Sequence, residues 1–200
     1  MILPIIQTIG IIGIFLFVFA ESGLFFGFFL PGDSLLFTAG ILAAAGHFNL
    51  WLLFIGCFFA AILGDTVGYW FGYKIGPKIF SREDSFFWNK KNIDKTSLFY
   101  QKYGNKTIVL ARFVPVVRTF APIMAGVGKM NYQIFLFWNI IGGLVWTGGM
   151  IFGGYFLGSK VKNIDNYILP IVVAIIFLSF VPIFIEYIKN KRENTKKSEN

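Results

Sequence analysis

The sequence predicts an all-α membrane protein: two facing re-entrant helical hairpins in an inverted repeat, with crossing helices and a C-terminal transmembrane helix. Three observations lead there. Hydrophobic residues make up 56% of the chain and charged residues only 14%, a balance that suits a bilayer better than a soluble core. Glu21, Asp33, Asp65, Arg112 and Arg118 nonetheless fall within the apolar stretches. Prolines also interrupt those stretches beside the charges, at Pro31 and Pro115. A segment that only had to span would avoid both, since an arginine at the bilayer centre costs about 2.5–3.5 kcal/mol and a proline breaks the helix. Irregular backbone at membrane depth is tolerated only where it is buried in protein or lines a polar cavity.

The elements follow in order within a single membrane domain over residues 1–188. Residues 10–45 read as the first re-entrant hairpin, with arms of about 10–31 and 33–45. The second arm, of 13 residues, is short for a crossing, which needs about 20 residues. Pro31 and Gly32 supply the turn, and Asp33 with Ser34 stands where a helix N-cap is wanted. Gly46 to Asn49 is a turn carrying the lone histidine, His47, read as an interfacial residue. Residues 50–73 are a transmembrane helix, with glycines at every fourth position, Gly64, Gly68, Gly72 and Gly76. Such a ridge lets another helix approach closely, and Asp65 beside it is expected to face protein. Residues 74–106 form a polar linker with eight basic and three acidic residues, read as an amphipathic segment at the cytoplasmic interface. Residues 107–130 are the second re-entrant hairpin. Residues 131–159 and 166–188 are transmembrane helices, and 189–200 is a basic, disordered tail.

No Lys or Arg occurs from Met1 to Tyr73. The clustering of the later ones places linker and tail on the cytoplasmic side and the N-terminus at the outer face. The formal net charge of +8 is thus a matter of membrane topology and anionic lipid heads, not of nucleic-acid binding. One cysteine, Cys57, excludes an intrachain disulfide and reads as a small core residue. The N-terminus lacks the basic region and small-residue cleavage site of a signal peptide, so the apolar start is expected to be retained.

A weak internal repeat links the halves. Gly46 to Phe54 pairs with Gly128 to Leu136 at an offset of 82, which also carries Gly72-Tyr73 onto Gly154-Tyr155 and Gly76 onto Gly158; Pro31 and Pro115 pair at 84. Both halves read as hairpin, turn, crossing helix, which makes the second inverted relative to the first. Inverted repeats with facing broken helices are a transporter plan, with the site at their interface.

The buried charges divide by half: acids in the first, arginines in the second. Left unpaired, five such groups would cost on the order of 12–18 kcal/mol, against about 5–15 kcal/mol of stability for a whole domain. They must pair, share a site or be wetted. Arginine's planar fork suits a carboxylate and equally a phosphate. Arg112 and Arg118 are therefore assigned to an anionic lipid headgroup, and Glu21, Asp33 and Asp65 to proton coupling. Pro31, Gly32, Pro115, Asn139 and Trp146 support the site. The bland alternative is that the pairs only fasten the two hairpins together.

These residues resemble the DedA family of bacterial inner-membrane proteins, also called SNARE-associated or VTT-domain proteins. The matching pieces are Glu21 with Leu30-Pro31-Gly32-Asp33; Gly64-Asp65 with Gly68-Tyr69 and Gly72; Arg112-Phe113-Val114-Pro115-Val116-Val117-Arg118; Ala125-Gly126 to Met130; and Asn139, Gly142 and Trp146. The resemblance covers roughly residues 15–160. It implies paired re-entrant hairpins and movement of a lipid such as undecaprenyl phosphate or a phospholipid between leaflets, flippase-like, driven by the proton motive force, in the inner membrane. It carries functional roles onto Glu21, Asp33, Arg112 and Arg118, and an acid onto Asp65. Asp33 stands where many members have glutamate.

Two other classes are weighed. A proton-coupled antiporter of a small ion or drug fits the same charges. A membrane-bound lipid phosphatase fits less well, because it needs a nucleophile with a positioned base, whereas the only histidine lies in a turn and the only cysteine in an apolar run. A pure scaffold would tolerate loss of either arginine. The expectation is a carrier, not an enzyme, with no catalytic residue, cofactor, metal or nucleic-acid partner; its partners are an anionic membrane lipid and protons, and homo-oligomer formation stays open.

Overall fold

The computed structural model describes residues 2–23, 31–79, 100 and 102–161. Helices α1 (Ile2–Gly23), α2 (Gly32–Ala44), α3 (Leu50–Ile79), α4 (Thr107–Ala111), α5 (Pro115–Val127) and α6 (Tyr132–Lys160) carry nearly all of these residues. Most of the linker expected at 74–106, the final helix 166–188 and the basic tail lie outside the described residues.

Two of the described helices, α3 over Leu50–Ile75 and α6, are long and apolar enough to cross a membrane. On α3 an uncharged stripe of Trp51, Ile55, Phe59, Leu63, Val67 and Trp70 is exposed, whereas Leu53, Cys57, Ala60, Ala61 and Tyr69 are buried. A stripe of large apolar groups left exposed on one face is the pattern of a helix solvated by lipid. The two long helices run antiparallel. Trp51 and Phe54 of α3 meet Phe152 near the end of α6, and Tyr69 and Trp70 meet Tyr132 at its start.

Each long helix begins with the same device. The Asn49 carboxamide oxygen accepts from Leu52 N at 3.0 Å, and that of Asn131 from Gln133 N at 2.9 Å and Ile134 N at 3.4 Å. These side chains satisfy backbone donors that a helix start otherwise leaves unpaired. Both caps follow a left-handed residue, Gly46 at φ 84 and Lys129 at φ 51. The sequence match paired Gly46 with Gly128, so the turn is shifted by one position, and a lysine occupies the conformation that glycine takes more cheaply.

The short helices cross over to the other half. A Cβ on Gly40 of α2 would meet the Ile151 carbonyl and Tyr155 N of α6, and one on Gly154 would meet the Phe37 carbonyl; likewise Gly126 of α5 lies on the Tyr69 carbonyl and Tyr73 N of α3, and Gly72 on the Ile123 carbonyl. The two interfaces use corresponding positions, 82 apart on the long helices and 86 apart on the short ones. Gly64, by contrast, abuts Phe19, Ser22 and Gly23 of α1. The glycine ridge expected to receive one helix therefore serves two, α1 at Gly64 and α5 at Gly68 and Gly72.

Three further differences from expectation are local. Helix α1 already starts at Ile2, ahead of the half-helix expected from residue 10, with Pro4 in its first turn, where a missing N–H costs nothing. Helix α2 starts at Gly32 with Pro31 as its N-cap, so Asp33 lies inside the first turn and makes no cap hydrogen bond; its carboxylate is engaged elsewhere. Helix α6 runs through Lys160. The core joins Val18 of α1, Leu36 and Ala39 of α2, Cys57 and Ala61 of α3, and Trp146 and Ile151 of α6.

Candidate functional site

Two interruptions of the helices, between α1 and α2 and between α4 and α5, aim polar groups at one place half-way along the long helices. Helix α1 ends against Gly64, and its Glu21 is buried. Helix α2 begins beside it and presents Asp33. The break between α4 and α5, at Arg112–Val114, presents Arg112, and the first turn of α5 presents Arg118. A cation near a helix N-terminus opposes the dipole, so Arg118 needs carboxylates close by.

It has two. Arg118 Nη2 pairs with Glu21 Oε1, and Arg118 Nη1 with Asp33 Oδ1 at 2.9 Å. The second arginine is held separately: Arg112 Nη2 pairs with Asp65 Oδ2 and donates to Asn139 Oδ1 at 2.5 Å, and Asn139 Nδ2 donates to the Ile62 carbonyl at 3.2 Å. Trp146 joins the pairs. Its ring lies 5.7 Å from the Arg112 guanidinium and 5.6 Å from that of Arg118, and its Nε1–H donates to Asp33 Oδ1 at 2.6 Å. Cation–π contacts of this kind strengthen as the groups are desolvated.

Glycines make the room. Gly32 N donates to Glu21 Oε1 at 3.1 Å, and a Cβ on Gly32 would collide with that carboxylate. A Cβ on Gly142 would press on Arg112 Cδ at 3.0 Å and Nε at 3.1 Å.

The structure thus brings together Glu21, Asp33, Asp65, Arg112, Arg118, Gly32, Asn139 and Trp146. Pro31 and Pro115 enter as the backbone positions that start α2 and α5. Thr119 and Ser22 were not anticipated; both line the cleft with Glu21, Asp65, Arg112, Arg118 and Trp146, and an isolated hydroxyl in an apolar run gives no sequence signal. The cleft has room for roughly one water molecule. Among the described residues, Glu21 Oε2, Arg112 Nε and Thr119 Oγ1 are buried without a hydrogen-bond partner. Such atoms are few in a folded protein and mark strain or a site. Three carboxylates against two guanidiniums leave the fully ionised cluster with one net negative charge. His47 is exposed, far along the chain from the cluster, and Cys57 is buried in the core.

Comparison with known proteins identifies the family. The VTT domain model matches residues 30–156. The chain is 46% identical to Protein DedA of Escherichia coli K12 over 181 residues, covering 90% of this chain and 82% of that protein. It is 42% identical to an uncharacterised membrane protein of Mycobacterium leprae, covering 84% and 75%. It is 27% identical to Undecaprenyl phosphate transporter A of Bacillus subtilis, covering 82% and 83%. No solved structure matches the chain. With the domain model spanning more than half of its length and a relative this similar, the chain belongs to the DedA family of VTT-domain membrane proteins.

Proposed function

We propose that this protein carries an anionic lipid, undecaprenyl phosphate or a phospholipid, between the leaflets of the bacterial inner membrane, coupled to the proton motive force. In this reading it is a multi-pass carrier and not an enzyme. Helices α1–α2 and α4–α5 are re-entrant hairpins of an inverted repeat, and their tips meet at the bilayer midplane. The observation that carries the reading is the joint hold on Arg118 by Glu21 and Asp33, carboxylates from the other half of the chain. A guanidinium placed there for a phosphate is already neutralised by these carboxylates, and the cluster as a whole is negative. An incoming anion is repelled until a carboxylate takes up a proton. Proton and anion then enter together, which ties lipid movement to the gradient. The name of the Bacillus subtilis relative supports the cargo class.

The test is reconstitution into liposomes with a labelled polyprenyl phosphate. Wild type should accelerate its flip, more so under a pH gradient, and Arg118→Ala should lower the rate at least about tenfold, as expected for loss of a charge-assisted pair. No acceleration by wild type would overturn the lipid-carrier reading. Acceleration that ignores the gradient would overturn the coupling.

A further inference from the structure

The three carboxylates of the cluster are not equivalent. The side chain of Glu21 is 1% exposed and that of Asp65 is 6% exposed, whereas that of Asp33 is 46% exposed. Glu21 is also fastened by Gly32 N. Asp33 reaches the cluster through one oxygen, Oδ1, which receives both Arg118 Nη1–H at 2.9 Å and Trp146 Nε1–H at 2.6 Å. We propose that these two donors are the seat of one oxygen of a phosphate monoester, and that Asp33 is the protein's own placeholder in that seat. The inference rests on the carrier reading and adds to it the exchanging carboxylate and Trp146 as a headgroup ligand.

Geometry supports the exchange in three ways. Arg118 splits its hold: Nη2 grips Glu21 while Nη1 grips Asp33. Releasing Asp33 frees one donor and leaves the guanidinium anchored. Trp146 is likewise kept in place by its position over both guanidiniums, so its N–H stays aimed when Asp33 leaves. The cleft that Glu21, Arg112, Arg118, Thr119 and Trp146 line has room for about one water and not for a phosphate, whereas Asp33 is not part of that lining and is half exposed, so an anion reaches these two donors by taking its place. A phosphate oxygen accepts from a guanidinium and an indole as a carboxylate oxygen does.

Asp33 leaves most readily as the neutral acid, which accepts these hydrogen bonds more weakly. The groups around it set how easily that occurs. Arg118 faces it from α5, Glu21 of α1 shares Arg118 with it, the neutral Trp146 faces it from α6, and Asp65 of α3 is paired with Arg112, whose guanidinium lies near the same indole.

The experiment is a calorimetric titration of the purified full chain in detergent micelles with farnesyl phosphate, inorganic phosphate and farnesol, at mildly acidic and mildly alkaline pH. Melting temperatures confirm that each variant is folded. Asp33→Asn removes the competing charge. It should bind farnesyl phosphate about tenfold more tightly than wild type at alkaline pH, the size of one charge-assisted hydrogen bond, and should lose wild type's gain on acidification. Asp33→Glu keeps the competing charge and should show no gain over wild type at alkaline pH. Trp146→Phe keeps the ring and loses the N–H. In the Asp33→Asn background it should weaken binding about tenfold; with Asp33 present the effect should be smaller, because the same N–H also holds the placeholder. Farnesol should not bind. Inorganic phosphate with the same gain in Asp33→Asn would support the seat and identify a free anion, not a lipid, as its occupant. If wild type binds and a folded Asp33→Asn binds no better, the placeholder is overturned while the carrier reading stands. If no folded variant binds either phosphate, both fall.

Discussion

Asp65 and Arg112 are each 6% exposed at the side chain. Removing one partner of such a pair leaves an uncompensated buried charge, at a cost of about 3–5 kcal/mol. Asp65→Ala should therefore lower unfolding free energy in mixed micelles by that amount, and Asp65→Ala with Arg112→Met should recover most of it. Equal losses in Asp65→Ala and the double variant would mean that the stranded Arg112 charge is not the source of the cost. At this scale the signs of the charges were legible in the sequence, because a carboxylate or guanidinium in an apolar run has to be answered by something. The partners were not. Asp65 meets Arg112 across 47 positions and Asp33 meets Arg118 across 85, distances over which helix register decides and local pattern is silent. Asp33 was read as a cap for the same reason: its place at the start of α2 is right, but a carboxylate there also satisfies the dipole while reaching an arginine, and the arginine wins.

The elements follow from a second kind of pairing, glycine against carbonyl. On α3, Gly72 approaches the Ile123 carbonyl, and on α6, Gly154 approaches the Phe37 carbonyl. A methyl group at either has backbone in its way, which cannot rotate aside as a side chain would. Gly72→Ala and Gly154→Ala should each destabilise by about 1–3 kcal/mol, the usual cost of overpacking, and by similar amounts, because the positions correspond across the two halves. Gly13→Ala, where a Cβ meets nothing, should be neutral or stabilising by up to about 1 kcal/mol. Denaturant titration in micelles compares the three; a large cost at Gly72 with none at Gly154 would contradict the equivalence of the two interfaces. The spacing of the glycines was visible in the sequence, but which neighbour each would receive was not. Spacing fixes a face of a helix, and two helices share this one, α1 at Gly64 and α5 beyond it.

At the scale of the whole molecule the question is whether the charge cluster is a fastener or a site, since the chain belongs to its family under either reading. The two make opposite predictions for a paired removal. Arg118→Gln alone strands Glu21, which is 1% exposed, and should cost about 3–5 kcal/mol. Glu21→Gln alone leaves Arg118 the second carboxylate, Asp33, and should cost less. In the double variant no charge is stranded: Asp33 keeps its Trp146 hydrogen bond and its access to the surface. Its stability should return to within about 1 kcal/mol of wild type, since neutral amides of similar volume replace a buried ion pair at little net cost. A fastener would then be repaired, and lipid flip in liposomes would recover with the fold. A site would not: without the Arg118 guanidinium there is no fork for a phosphate, and flip should stay below roughly a tenth of the wild-type rate, more than 1.4 kcal/mol in the barrier, although the protein is folded and inserted. Recovery of flip beyond half the wild-type rate would make the ion pairs structural glue and remove the reason for placing the lipid headgroup among them.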